Sequence, residues 1–109
     1  GSNIYLVEVP VKEPWQVFAY IPFGGWNECP DADEQMAVAK YWYEKYGAVA
    51  AHFSNDMIQY YLPKPVTDNT MSVAEEHMGY CEDAVLQGDN LTTLAATIKE
   101  STVWTFWWD

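Results

Sequence analysis

Two cysteines, two histidines and scattered carboxylates are the residues of this chain whose types and spacing could do chemistry. Cys29 lies two residues before Asp31, which opens a helical pattern, and a helix N-terminus lowers the pKa of a nearby thiol. A nucleophilic Cys29 would need a base, and His52 and His77 are the only histidines. The plain alternative is a small buried apolar residue in a turn. Cys81 could form a redox pair with Cys29 only if their Cα atoms lay within about 7 Å. His77 and Cys81 sit at i, i+4, a chelating geometry on a helix, but the short ligand pairs usual in zinc sites are missing. Neither a metal nor a cofactor is assigned.

The carboxylates have bland explanations alongside chemical ones. Asp31, Asp33 and Glu34 crowd a helix start, where capping and the helix dipole favour acids. Glu75 and Glu76 form a similar early-helix run. Glu82, Asp83 and Asp89 flank Gly88 and could join Asp109 in a pocket, where a desolvated carboxylate does acid–base work. The alternative is a set of solvated helix ends. The loop Gly24-Gly25-Trp26-Asn27 puts an aromatic and an amide beside glycines, a surface suited to a ligand or peptide. It lacks the lysine and the glycine spacing of a phosphate loop.

These residues must be positioned by the surrounding elements. Ile4 to Val11 alternates as a strand, and Trp15 to Ile21 reads as a second strand, apolar on nearly both faces and so central. A helix capped by Asp31 carries Met36, Ala39, Trp42, Tyr43 and Tyr46 as its buried stripe and ends at Gly47. Ala48–Phe53 and Met57–Leu62 form a hairpin. A helix follows from about Thr70 to Val85, with Ser72 and Glu75 as a possible capping box. Asn90 caps a last helix bearing Leu91, Leu94, Ala95 and Ile98. The chain closes on a strand with Trp104, Phe106 and Trp108 on one face and Val103, Thr105, Trp107 and Asp109 on the other. Large aromatics on both faces place it inside the sheet. The fold class is α+β: a mixed sheet of about five strands in the order β-β-α-β-β-α-α-β, helices mainly on one face, with a βαβ crossover around the first helix. Residues 1–3 read as a tag remnant or loose start, and 4–109 as one domain.

Composition narrows the partners. Sixteen acids face five lysines, no arginine is present, and the net charge is −11. Nucleic acids and anionic membranes need basic surface, so both are excluded as partners. No stretch reaches transmembrane length and no signal peptide is visible. Two cysteines 52 positions apart make no disulfide framework, and thiols in a reducing cytoplasm are the expectation.

Three segments carry a family resemblance: Gly24-Gly25-Trp26-Asn27-Glu28-Cys29-Pro30, Tyr80-Cys81-Glu82-Asp83-Ala84-Val85-Leu86-Gln87-Gly88, and Trp104-Thr105-Phe106-Trp107-Trp108-Asp109. Together they resemble the bacterial family known as Domain of Unknown Function 4253, over nearly the whole chain from Pro14. The closing tryptophan run is the most specific element. The sequence departs from the family at Glu82, where proline is expected, and at Ala84, where asparagine is. The resemblance implies a cytoplasmic bacterial domain, often C-terminal in a longer chain, with no established activity.

The resulting expectation is a non-catalytic protein- or ligand-binding module with an acidic surface. Its site would combine Trp26, Asn27, Glu28 and Cys29 with Cys81, Asp83, Gln87 and Gly88 and with Trp108 and Asp109, meeting at one end of the sheet. The partner would be a basic protein or a small molecule, and an analogy with small acidic toxin-neutralising domains points the same way. The alternative is a small hydrolase or transferase using Cys29 or a Glu28/Asp83/Asp109 cluster. A third possibility is a structural piece of a larger chain.

Overall fold

A computed structural model of the chain describes residues 12–19, 29–54, 56–81 and 90–108. The expected first strand, residues 1–3, residues 20–21 of the expected second strand, most of the glycine-rich loop, the 82–89 segment and Asp109 lie outside the described residues.

Helix α1 spans Ala32–Tyr46. Asp31 caps it as expected: its Oδ1 accepts from the Glu34 amide at 3.0 Å. Gly47 ends it in the left-handed conformation, φ 74°, and its N–H returns to Tyr43 O. Ala39 and Trp42 are buried, and Met36 and Tyr46 partly so. Gln35 is also fully buried, although its type argues against that position. Helix α2 covers Thr70–Tyr80, and α3 covers Leu91–Ile98. Asn90 caps α3 by accepting from the Thr93 amide at 2.8 Å. The capping box proposed at Ser72 does not form. Ser72 is already inside α2, whose N-cap Asn69 sits in the left-handed region without a side-chain cap.

Strands β1 (Val49–Phe53), β2 (Met57–Tyr61) and β3 (Val103–Trp107) make one antiparallel sheet in the order β1-β2-β3. The expected hairpin is β1-β2. Between Ala50 and His52 the register shifts, the mark of a β-bulge. Because of it Ala50 and Phe53 both face the core while His52 faces outward, opposite Gln59. The alternation expected of β3 holds: Trp104, Phe106 and Trp108 are buried, while Val103 is exposed and Thr105 and Trp107 are intermediate.

The helices pack on one face of the sheet, and Trp42 of α1 is the centre of the core. Its indole stacks on Phe106 (5.4 Å, 20° between planes) and meets Tyr60, Tyr80 and Trp104 edge-on at 5.1–5.2 Å. Such pairs each add about 0.5–1.5 kcal/mol beyond their buried area.

Four expectations need correction. The segment expected as a second, central strand is a 3-10 helix, Pro14–Ala19. Pro14 suits a first helical turn, and the Gln16 side chain accepts from the Lys12 and Glu13 amides at 3.1 Å each, closing the turn. Trp15 and Phe18, three apart, share a side in a 3-10 helix. Phe18 is buried against Phe53 (5.6 Å), and Lys40 lies over the Trp15 ring. The βαβ crossover therefore falls away, and among the described residues the sheet has three strands rather than about five, none of them parallel. The terminal strand, expected inside the sheet, is paired on one side only among those residues, with β2 in the middle.

Candidate functional site

Helix α2 delivers its last residue, Tyr80, into the core. The Tyr80 hydroxyl donates to Gln35 Oε1 of α1, and Gln35 Nε2 in turn donates to Cys29 Sγ and to Pro30 O, both at 3.4 Å. Tyr60 of β2 places its hydroxyl 3.4 Å from that of Tyr80. On the other side the Tyr80 ring meets Trp108 edge-on at 5.2 Å. Cys81 follows directly, and its thiol donates to Trp107 O at 3.1 Å. Three of the residues expected at a shared site, Cys29, Cys81 and Trp108, thus gather around one tyrosine. Trp26, Asn27, Glu28, Asp83, Gln87, Gly88 and Asp109 lie outside the described residues.

This cluster is dry. Cys29 is 5% exposed, Cys81 1% and Gln35 0%. Burial, and then the neighbouring Tyr60 and the two cysteines, push the Tyr80 phenol well above its ordinary pKa. Burial likewise raises Tyr60. Both phenols stay neutral and serve as hydrogen-bonding core groups. The histidines stand elsewhere. His77 packs between Trp42, Trp104 and Phe106, and burial lowers its pKa to about 3. His52 is on the opposite side of the sheet, with Nδ1 2.9 Å from Gln59 Oε1 and 3.0 Å from the Tyr61 hydroxyl. Gln59 Nε2 extends this network to Thr105 Oγ1 at 3.2 Å. Among the described residues, no group of three or more His, Cys, Asp or Glu side chains could hold a metal.

Sequence reasoning missed Glu76. It stands three residues after Val73 and four before Tyr80, at the margin of the buried face of α2, and it is not a merely solvated helix-start charge. Its carboxylate accepts from the Tyr41 hydroxyl (2.6 Å), Trp42 Nε1 (3.2 Å) and the Tyr46 hydroxyl (3.2 Å), tying α2 to α1. Lys45 completes the set, donating to the Tyr41 hydroxyl at 2.7 Å and lying 3.7 Å from Glu76. Its hydrogen bonds to Tyr41 and Tyr46 hold its pKa above the usual value. Burial, and then the nearby Glu76 charge, raise that of Tyr46.

Between the two helices runs a trough of about 280 Å³ lined by Val38, Tyr41, Trp42, Glu76, Gly79 and Tyr80. Its floor is aromatic. Tyr80, which organises the thiol cluster on the inside, also forms part of this wall. A larger hollow of about 540 Å³ lies towards the start of α2, where Lys45 and Lys64 face Asp68, Asn69 and Ser72.

The chain belongs to the family described as a domain of unknown function, DUF4253, which matches residues 5–109. No curated protein and no solved structure matches it. The DUF4253 match spans the thiol cluster, the Glu76 hub and the tryptophan-rich ending alike. Among the described residues of this DUF4253 chain, no helix is long and apolar enough to cross a membrane.

Proposed function

We propose that this domain works by binding another protein rather than by catalysis, and that the partner presents a basic surface. One contrast carries the proposal. Among the described residues, both thiols, Cys29 and Cys81, and the histidine His77 are sealed in the core, whereas Tyr41, Met71 and Met78 stand exposed on α1 and α2. Exposed aromatic and methionine side chains form adaptable contact surface. A net charge of −11 steers cationic partners towards such a surface and fixes the sign of what it accepts. A cytoplasmic setting is part of the proposal, in keeping with a chain whose two cysteines make no disulfide framework of the secreted kind.

Selection from a displayed library of random helix-length peptides tests it. Enriched peptides should combine a large apolar residue with lysine or arginine, and their binding should weaken steeply with salt. No enrichment, or enrichment of acidic peptides, overturns the proposal. So does turnover of an ester or phosphate substrate that is lost in Cys29→Ser.

A further inference from the structure

Resting on that binding proposal, we infer that the trough between α1 and α2 seats an amphipathic segment of another protein. Its apolar side chain enters beside Gly79 and Tyr80, and its lysine or arginine flanks meet Glu34 and Glu75. The trough supplies the apolar part: Val38 and Tyr41 on one wall, Gly79 and Tyr80 on the other, over Trp42. Tyr41 is 44% exposed at its edge and Met78 43% exposed on α2.

Charge argues for a cationic occupant. Residues three and four apart are neighbours on a helix surface, so Glu34, Val38, Tyr41 and Lys45 form one ridge of α1. Glu75, exposed, neighbours Gly79 on α2 in the same way. The two helices run antiparallel, Tyr80 opposite Gln35 and Glu76 opposite Tyr46, so Glu34 flanks the Gly79 end of the trough, with the carbonyl end of α2, while Glu75 borders the trough one turn away, level with Glu76. At the Tyr41 end, Lys45 is already engaged by Tyr41 and Glu76. Incoming basic flanks are thus directed to Glu34 at one end and to Glu75 on the rim.

Gly79 is a second, independent observation. Glycine inside a helix costs about 1 kcal/mol relative to alanine. Among the described residues no steric need offsets that cost: a Cβ at Gly79 would meet none of them within 4 Å, and among the described glycines only Gly47 has a left-handed backbone. What the missing side chain does is keep the trough open beside Tyr80. A groove of this type, apolar with a charged rim, is the geometry that accepts an amphipathic helix.

The test uses a leucine–lysine amphipathic peptide and its leucine–glutamate counterpart, with binding followed by calorimetry. The lysine peptide should bind the wild-type chain and the glutamate peptide should not. Gly79→Leu projects a side chain into the trough and should weaken the lysine peptide by about tenfold or more, and Gly79→Ala, whose Cβ has room, should melt no lower than wild type. The double substitution Glu34→Gln, Glu75→Gln should weaken binding and flatten its salt dependence. Glu100→Gln, beyond α3, should leave both unchanged. If the lysine peptide binds Gly79→Leu as tightly as wild type, the trough is not the site and the broader binding proposal stands. If it fails to bind the wild-type chain while library selection yields other basic binders, the seat proposed here is wrong. If both fail, the binding proposal falls with it.

Discussion

His77 of α2 meets the indole of Trp104 edge-on, with ring centroids 4.5 Å apart, and its Nε2 is buried with no hydrogen-bond partner among the described residues. An imidazolium has no compensation there, which is why burial takes the His77 pKa from 6.5 to about 3. In the pH range between those values the unfolded chain binds a proton that the folded chain refuses. Stability contributed by neutral His77 is therefore present above the unfolded pKa and lost as pH falls towards the folded one, at up to about 1.4 kcal/mol per pH unit. In urea unfolding, wild type should lose about 2 kcal/mol more than His77→Phe between neutral pH and about pH 5. Equal losses would mean that water reaches the ring.

Glu76 should matter far more than an ordinary helix-surface acid. Glu76→Ala strands the Tyr41, Trp42 and Tyr46 donors together and should cost about 2–3 kcal/mol, with Glu76→Gln intermediate because one acceptor remains. Lys45→Met removes a mostly solvent-screened charge and should cost less than either Glu76 substitution. Denaturation midpoints in the reverse order would refute the hub.

Two glycines should respond to alanine with opposite signs. At Gly47 the backbone is left-handed, φ +74°, and the new Cβ would lie 3.2 Å from the Pro63 ring, so Gly47→Ala should destabilise by about 1–2 kcal/mol. At Gly79 the space is open, and Gly79→Ala should stabilise by up to about 1 kcal/mol. Melting temperatures of the two variants decide this directly.

Neither thiol should react quickly in the native protein. Cys29 and Cys81 are almost fully buried, so labelling by an aromatic disulfide should wait on opening of the core and accelerate in denaturant. A thiol that labels at the rate of a small free thiol would revive the nucleophile interpretation of Cys29.

How far these features are legible in the residues depends on how local their cause is. Asp31, Gly47 and Asn90 act within one turn of themselves, and all three caps stand where the pattern puts them. The buried side of β3 follows from period-two alternation alone. The segment Trp15–Ala19 misleads because its apolar residues fit both a two-residue and a three-residue repeat. Pro14 and the Gln16 side chain, with no β-partner among the described residues, settle it as a 3-10 turn. Of the proposed site, Cys29, Cys81 and Trp108 were legible as candidates, three residues at breaks beside apolar elements. Their common anchor was not, because Gln35 looks like a surface residue until Tyr80 supplies its hydrogen bond.

By itself, the order of residues determined the helices at 32–46 and 91–98, the hairpin and the inward face of the last strand, all of which arise from short-range capping and periodicity. Only the tertiary structure decided that β2 is the middle of three strands, that a bulge turns His52 outward, and that Glu76 and Gln35 join distant elements. The Glu76 and Gln35 links depend on contacts between residues 30 to 45 positions apart, and the place of β2 on pairs 42 to 50 positions apart. The free energy of such a contact depends on which partner burial brings to the polar atom, and local sequence carries no record of that partner.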